Sequence, residues 1–298
     1  MRLGVFTDAL AHLSLGEALD WLERSVTDVR DVELGTGGYS DAPHCDVAGL
    51  LSTARARERF VGDLRDRGFQ LSALNVSGNP LERPAHDRAL RDTIRLACEV
   101  GVDRIVCMSG GKAELSGGGW FPGVEEEIER YWQAHVLVYW EEITTLAEQS
   151  DPALRLCLEL EPGAAVYNVS TFERLAALSP SVALNLDPSH LFWQSIDPLA
   201  VTDRLASRVA FAHGKDVQFQ DARIAVDGVL DRTAWQYTVV GRGHDVEWWR
   251  SFIQQLRRGG YDGVVSIEHE DHAVPVEDGL LEAAETLRTV IGITEAAT

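Results

Sequence analysis

Three carboxylates and one imidazole stand at the ends of four consecutive apolar segments in the second half of the chain. In the first segment, leucines alternate with Cys157, Glu159 and Glu161, so these three side chains share one face of a predicted strand. Pro188 has no backbone N–H to offer a neighbouring strand, so it ends the next segment and leaves Asp187 at the strand end. The candidate ligands at the four strand ends are Glu159, Asp187, His213 and Glu268.

Together, these side chains form a hard, oxygen-rich ligand set. Carboxylates with one imidazole suit Mn²⁺ or Mg²⁺, and they bind Co²⁺ and Zn²⁺ less selectively. Each acid taken alone is as well explained by a surface or helix-capping role. Asp187 can cap the helix that follows it, with His190 an ordinary loop histidine. Four such residues at successive strand ends predict a site for one divalent cation, with Mn²⁺ as the expected ion.

Short apolar segments alternate with amphipathic helical segments along the whole chain. This alternation predicts a parallel sheet with helical crossovers, and eight units indicate a closed (β/α)8 barrel. The first strand is not followed by a G-x-G-x-x-G sequence, which weakens the dinucleotide-binding alternative. We therefore expect an α/β protein with a single TIM-barrel domain over residues 1–298. The predicted strands are 3–7, 32–35, 70–76, 104–109, 154–161, 182–187, 209–213 and 264–268.

The segments between the strands complete the predicted barrel. Three long irregular stretches, 36–46, 109–123 and 215–243, each follow a strand. In a barrel they lie at the carboxyl mouth of the strands, where active sites are found. The predicted helices are 15–26, 47–67, 84–100, 124–149, 171–178, 198–205, 245–258 and 276–291.

The composition argues against some classes of partner. The net charge is −20, from 47 acidic against 27 basic residues, so phosphates of nucleic acids and anionic membranes would repel this protein. The four cysteines show no C-x-x-C spacing and fit reduced thiols. The apolar run at the N-terminus is too short for a signal peptide, and no run of about 18 apolar residues suggests a membrane span. We expect a cytoplasmic protein that binds neither nucleic acid nor membrane.

The order of the candidate ligands, with Asp187 and His190 three residues apart, resembles the xylose-isomerase-like TIM barrel superfamily. This superfamily includes sugar phosphate isomerases and epimerases, ketose 3-epimerases, inosose dehydratases and endonuclease IV. The likeness covers essentially the whole chain, and its motifs identify the superfamily better than the substrate. Longer matching segments are VELGTG at 32–37, LNVSGNPL at 74–81, DPSHLFWQSIDP at 187–198, HGKD at 213–216 and GRGHD at 241–245.

The resemblance implies roles for these residues. The four candidate ligands are expected to bind one divalent cation, and Glu159 and Glu268 are also expected to act as a proton-transferring pair on opposite faces of the substrate. The residue matching His190 contacts substrate oxygens in the family. Glu161 departs from the pattern, because many relatives have histidine there, and it competes with Glu159 as the ligand from its strand.

This machinery predicts a metal-dependent isomerase or epimerase of a sugar or keto sugar. Such a reaction removes a proton beside a carbonyl; the metal stabilises the resulting enediolate as a Lewis acid, while one carboxylate takes the proton and another returns it. If a leaving group lies β to the carbonyl, the same enediolate expels it. The alternative is therefore an inosose-type dehydratase, or a lyase or deglycosidase that acts on 3-keto glycosides, and some relatives of that last kind need a second subunit.

Two further classes are weaker alternatives. A nuclease like endonuclease IV uses three zinc ions and extra histidines from early strands, whereas the early strand ends here offer Asp8, Glu33, Asn75 and Ser109. A non-enzymatic sugar-binding role on a degenerate barrel is opposed by the intact ligand set.

Several other side chains near the predicted mouth are candidate substrate contacts. Arg242 and His244 lie in a glycine-flanked turn that can equally be an ordinary turn, and Lys215 either reaches the mouth or pairs with an acid. Tryptophans on helices can serve an interface or pack within the outer layer of the barrel. The expected partners are a small-molecule sugar and either a further copy of the chain or a second subunit. The candidate substrate contacts are His190, Lys215, Arg242, His244, Trp120, Trp193, Glu33 and Asn75.

Overall fold

The computed structural model describes residues 1–116 and 122–295. Eight parallel strands form a closed barrel in the order β1-β10-β7-β6-β5-β4-β3-β2, and helices flank the strands. The predicted barrel is therefore confirmed. The barrel strands are β1 (Arg2–Phe6), β2 (Asp31–Gly35), β3 (Gln70–Asn75), β4 (Arg104–Cys107), β5 (Arg155–Leu158), β6 (Val182–Leu186), β7 (Val209–Gly214) and β10 (Val264–Ile267).

Two more strands form a separate antiparallel hairpin that the sequence did not predict. They are β8 (Asp216–Phe219) and β9 (Trp235–Thr238), and Val217 pairs with Tyr237 in their register. A short helix, α10 (Asp221–Asp227), lies in the connection between them. The predicted irregular stretch 215–243 was therefore wrong in part, because it contains regular structure that begins directly after β7.

The helices follow the predicted positions with two interruptions. Residues 47–67 form two helices, because Thr53 adopts an extended conformation and its hydroxyl accepts the N–H of Ala56, which starts a new helix. Residues 124–149 contain a π-helical turn, Trp132–Val136. Besides α10, the described α-helices are α1 (Leu15–Ser25), α2 (Val47–Ser52), α3 (Ala54–Asp66), α4 (Pro84–Val100), α5 (Val124–Tyr131), α6 (Leu137–Ser150), α7 (Val169–Ala176), α8 (Ser189–Phe192), α9 (Pro198–Leu205), α11 (Val246–Arg258) and α12 (Val276–Glu295).

One compact unit comprises residues 1–31 together with the described residues from 186 onward. Within it, β10 pairs with both β1 and β7, and α11 packs against α9 and α12. Trp249 and Phe252 on α11 are fully buried. Trp249 therefore belongs to the core of this unit.

The other compact unit comprises residues 32–185. Its strand β4 pairs with β3 and β5, and α4 packs against α2, α3 and α6. Trp132 and Trp140 are fully buried, and the indole N–H of Trp140 donates to the carbonyl of Ser109 at 3.0 Å. These two tryptophans also pack in the core.

None of the helices described in residues 1–116 and 122–295 combines the length and the apolar character that crossing a membrane requires.

Candidate metal centre

Four side chains at the carboxyl ends of β5, β6, β7 and β10 converge. Glu159 follows β5, Asp187 follows β6, His213 is the next-to-last residue of β7 and Glu268 follows β10. One ligand atom from each lies within 4.8 Å of the ligand atoms of the others. Within the described part of the chain, the cluster includes Glu159 and not Glu161. The structure thus brings together the four residues that the sequence predicts as ligands.

Asp187 uses its two carboxylate oxygens differently. Oδ1 accepts the N–H of Ser189, the first residue of α8, at 2.8 Å, which forms a turn just before the helix; the N-cap position itself is Pro188, so Asp187 is not the N-cap. Oδ2 is buried, 3.4 Å from His190 Nε2 and 3.6 Å from His213 Nδ1, yet it accepts no hydrogen bond from any described residue. Burial alone would raise the pKa of Asp187, but the two histidines hold it below its usual value. One oxygen of this carboxylate therefore binds the backbone of Ser189, and the other is available to the cluster.

Glu268 also presents an oxygen to the cluster. Its Oε2 lies 3.0 Å from His213 Nδ1 and 3.2 Å from Lys215 Nζ. Neither contact has the geometry of a hydrogen bond, and no other described group donates to this buried atom. Burial alone would raise the pKa of Glu268, but Lys215 and His213 hold it well below its usual range. The side chain is therefore a carboxylate at neutral pH.

This donor set fits a divalent cation. Buried carboxylate oxygens normally accept hydrogen bonds, and those of Asp187 and Glu268 that face the cluster accept none from the described residues. A cation satisfies such atoms directly. Three carboxylates with the imidazole of His213 suit Mn²⁺ or Mg²⁺, and Zn²⁺ is also compatible with this set.

Lys215 is buried next to the candidate ligands. Its Nζ lies 3.2 Å from Glu268 Oε2, 3.1 Å from Glu270 Oε1 and 4.3 Å from the centroid of the Tyr237 ring. Burial alone would lower the pKa of Lys215, but Glu268 and Glu270 hold it well above its usual value. The lysine is therefore charged and paired with acids, one of which is a candidate ligand.

The β8–β9 hairpin brings an aromatic residue to His190. The hydroxyl of Tyr237 lies 3.5 Å from His190 Nδ1, and the opposite side of the same imidazole faces Asp187. Trp235 stacks on Trp193 with their rings 5.0 Å apart, so the predicted contact residue Trp193 packs against the hairpin. Tyr237 was not among the residues predicted from the sequence. Large aromatic residues at alternate positions, Trp235 and Tyr237, are the signal that indicates a strand there.

Asp216 holds the turn that contains His244. One of its oxygens accepts three backbone N–H groups of the turn 241–244 at 3.0–3.2 Å, and the other lies 2.7 Å from His244 Nδ1. The imidazole stacks on Phe192 with ring centroids 3.7 Å apart. The position of His244 is therefore fixed on two sides, and its contact with a substrate stays a prediction.

Arg242 extends from the same turn to a different partner. Its guanidinium makes two hydrogen bonds to the carboxylate of Glu282 on α12, at 2.8 and 2.6 Å. This bidentate pair holds the side chain at the helix, and no contact with the cluster accompanies it among the interactions described for Arg242. Trp120, another predicted contact, lies outside the described residues.

Two neutral hydrogen-bond donors contact the carboxylate of Glu159. Ser77 donates its hydroxyl to Oε2 at 2.7 Å, and the amide of Asn185 donates to Oε1 at 3.2 Å. Asn75, a predicted substrate contact, donates its amide to Glu33 at 2.8 Å and accepts the backbone N–H of Ser77 at 3.0 Å. Glu33 and Asn75 were predicted as site residues from the sequence, whereas Ser77 and Asn185, the partners of Glu159, were not.

A sequence-family model and one curated relative match most of this chain. Residues 32–290 match the sequence model of the family described as xylose isomerase-like TIM barrel. The uncharacterized protein YfiH of Bacillus subtilis (strain 168) is 34% identical over 318 aligned residues, which cover 98% of this chain and 99% of that protein. These matches confirm the resemblance that the sequence motifs indicate.

Solved structures show the same fold at low sequence identity. The IolI protein with a bound zinc atom has a TM-score of 0.69 at 16% identity, covering 98% of both chains. The probable 3-DHS dehydratase AsbF of Bacillus anthracis has a TM-score of 0.68 at 17% identity, covering 97% of this chain and 99% of that one. An L-ribulose 3-epimerase has a TM-score of 0.63 at 14% identity, covering 100% of this chain and 98% of the other.

Proposed function

Because the chain belongs to the xylose isomerase-like TIM barrel family, we propose that it is a divalent-metal-dependent isomerase or epimerase of a sugar or keto sugar. The cluster of Glu159, Asp187, His213 and Glu268 carries the proposal, because it combines a cation-binding donor set with two glutamates that can exchange a proton. The fold shared with an L-ribulose 3-epimerase and a protein with bound zinc supports this reaction class and a metal site.

The two glutamates perform the proton transfer in this proposal. One of Glu159 and Glu268 removes the proton from the carbon beside the substrate carbonyl. The other returns a proton to the opposite face, which gives an epimer, or to the adjacent carbon, which gives an isomer. A bound cation supplies Lewis-acid stabilisation of the negative charge on the substrate oxygens.

Substrate orientation is assigned to the polar groups beside the cluster. His190 is held between Asp187 and Tyr237, so its imidazole is suited to contact substrate oxygens in a fixed orientation. The buried ammonium of Lys215 is suited to the same task. Trp193 has one ring face stacked on Trp235, and Tyr237 has one ring face under Lys215. In this proposal, their other faces are assigned to the C–H face of a sugar ring.

We propose Mn²⁺ as the resident ion, in keeping with three hard carboxylate ligands and one imidazole. The test is to prepare the protein free of metal and to titrate it with Mn²⁺. Binding of one ion per chain supports the proposal. Absence of binding by the wild-type protein refutes the metal site and the function that depends on it.

The reaction is tested by mass spectrometry in D₂O. A panel of keto sugars, inososes and 3-keto glycosides is incubated with the Mn²⁺-loaded protein. Incorporation of one deuterium into a panel compound without change of formula is expected for an isomerase or epimerase. A panel that remains entirely unlabelled and chemically unchanged, with stoichiometric Mn²⁺ bound, contradicts the assignment for these compounds.

Matched variants connect the reaction to the proposed pair. Glu159→Gln and Glu268→Gln each replace a carboxylate by an amide of similar size, and we expect either to reduce labelling at least 100-fold. Glu161→Gln makes the same change on a residue outside the cluster and is expected to retain labelling. Loss of labelling in Glu161→Gln with retention in Glu159→Gln would reverse the choice of ligand on this strand.

Elimination is the second candidate function, and the pairing of Tyr237 with His190 favours it. A leaving hydroxyl or aglycone needs a proton, and a phenol 3.5 Å from an imidazole forms a donor pair beside Asp187. The fold shared with the probable 3-DHS dehydratase AsbF is compatible with this outcome. Loss of water or of an aglycone in the same mass spectra would assign the protein to this class.

A further inference from the structure

A string of hydrogen bonds runs from Glu33 to Glu159. Glu33 is fully buried and accepts the amide of Asn75, whose carbonyl oxygen accepts the backbone N–H of Ser77. The hydroxyl of Ser77 then donates to Glu159 Oε2 at 2.7 Å. The residues come from β2, the end of β3, the segment after β3 and the end of β5, so the string crosses several strands at their carboxyl ends.

The direction of each hydrogen bond in this string is determined by chemistry. Glu33 and Glu159 are acids that accept, which makes the Asn75 amide and the Ser77 hydroxyl the donors. Because the amide of Asn75 is used on Glu33, its carbonyl oxygen is directed at the backbone of Ser77. The Ser77 hydroxyl is the last donor in this string, and its hydrogen bond is directed at Glu159.

Neutral groups contact both oxygens of the Glu159 carboxylate. The hydroxyl of Ser77 and the amide of Asn185 each donate a hydrogen bond to one of these oxygens. Hydrogen bonds of this kind fix the plane of a carboxylate without adding a charge that would compete with a cation.

We propose that Ser77 is a positioning residue, which fixes the Glu159 carboxylate in the orientation that binds the cation, and that Asn75 and Glu33 fix Ser77. The proposal rests on the proposed function in one respect, because it takes Glu159 to be a metal ligand. It assigns Glu33 and Asn75 a supporting role instead of direct contact with the substrate.

The test compares Mn²⁺ affinity in Ser77→Ala, Ser77→Thr and Ser72→Ala. Ser77→Ala removes the donor to Glu159, and a 10- to 100-fold loss of affinity is expected, roughly the range found for partners of metal ligands. Ser77→Thr retains a hydroxyl and should bind within about threefold of wild type, since the same donor is present. Ser72→Ala is the matched control, because Ser72 lies on β3 and donates to the carbonyl of Val32 at 3.0 Å.

Affinity is measured from the electron paramagnetic resonance signal of free Mn²⁺, and the melting temperature of each metal-free variant verifies folding. Affinity in Ser77→Ala equal to that of Ser72→Ala overturns the proposal and leaves the metal site intact. A wild-type protein that binds no Mn²⁺ overturns the proposed function as well, so the two failures are distinguishable. If Ser77→Ala does not fold, Asn75→Ala takes its place. It removes the acceptor for the backbone of Ser77, and unchanged Mn²⁺ affinity in it overturns the proposal.

Discussion

Replacement of Lys215 by methionine is expected to destabilise the metal-free protein strongly. The methionine side chain has a similar length but no charge, so Glu268 loses a cation that lies 3.2 Å away. The side chains of Lys215 and Glu268 are only 4% and 12% exposed. Water therefore compensates little for the lost partner, and the carboxylate is left buried beside Asp187.

The magnitude follows from the burial of the pair. Removing one partner of a buried ion pair typically destabilises a protein by about 3–5 kcal/mol. The second contact of Lys215, to Glu270, adds less than about 1 kcal/mol, because Glu270 is 42% exposed and screened by solvent. We expect a loss of about 3 kcal/mol in the free energy of unfolding, near the lower limit because Glu268 is not completely buried. This loss corresponds to roughly 6–12 °C in melting temperature for a protein of this size.

The assay is thermal unfolding monitored by circular dichroism, with and without Mn²⁺. Lys215→Met should melt well below wild type without metal, and Mn²⁺ should narrow the difference, because a bound cation replaces the missing positive charge. The chain contains one other lysine, Lys112, which is exposed with its Nζ 5.7 Å from the centroid of the Tyr131 ring. Lys112→Met is the matched control and should change the melting temperature by less than about 2 °C. A metal-free Lys215→Met protein as stable as Lys112→Met would refute the reasoning.

Two other predictions concern stability alone. Gly243→Ala would place a Cβ 2.1 Å from the carbonyl oxygen of Val217 and should lower the free energy of unfolding by about 1–3 kcal/mol. Gly62→Ala has open space in α3 and should raise the free energy of unfolding by roughly 0.5–1 kcal/mol. Urea denaturation of both variants checks these opposite signs. The partly exposed ion pair with Arg288 lowers the pKa of Asp28. At a pH above the ordinary aspartate pKa of about 4, the pair stabilises the folded protein by less than about 1 kcal/mol, and this contribution is lost as the pH falls through the lowered pKa. The stability difference between wild type and Arg288→Met should therefore shrink on acidification, and a difference that grows would contradict this pairing.

The barrel was predictable from the alternation of apolar strands and helices, whereas local departures from regular structure were not. Thr53 divides the predicted helix 47–67, and its hydroxyl acts as a new N-cap, a signal that the sequence contains but that helical periodicity conceals. The π-helical turn Trp132–Val136 adds a residue within an otherwise continuous helix. The turn contains two buried residues, Trp132 and Val136, and helical periodicity alone does not indicate it.

The candidate ligands were predictable because parallel strands of a barrel bring their carboxyl ends together whatever their separation along the chain. The partners of these ligands were not. Ser77 and Asn185 are residue types with many structural roles, and only the three-dimensional arrangement shows that both donate to Glu159. Arg242 was predicted as a substrate contact because of its position near the mouth. In the structure its guanidinium pairs with Glu282, 40 residues further along the chain.

The divided use of the Asp187 carboxylate links the cluster mechanically to the segment that follows it. One oxygen accepts the N–H of the first residue of α8, and the other faces the cluster. Because the two oxygens belong to one rigid planar group, a shift of the second oxygen changes the position of the first oxygen and of the helix bonded to it. His190 lies on that helix and Trp193 directly after it. Binding of a cation to the cluster should therefore shift the segment that carries these two side chains. The fluorescence of Trp193 should change when the cation binds.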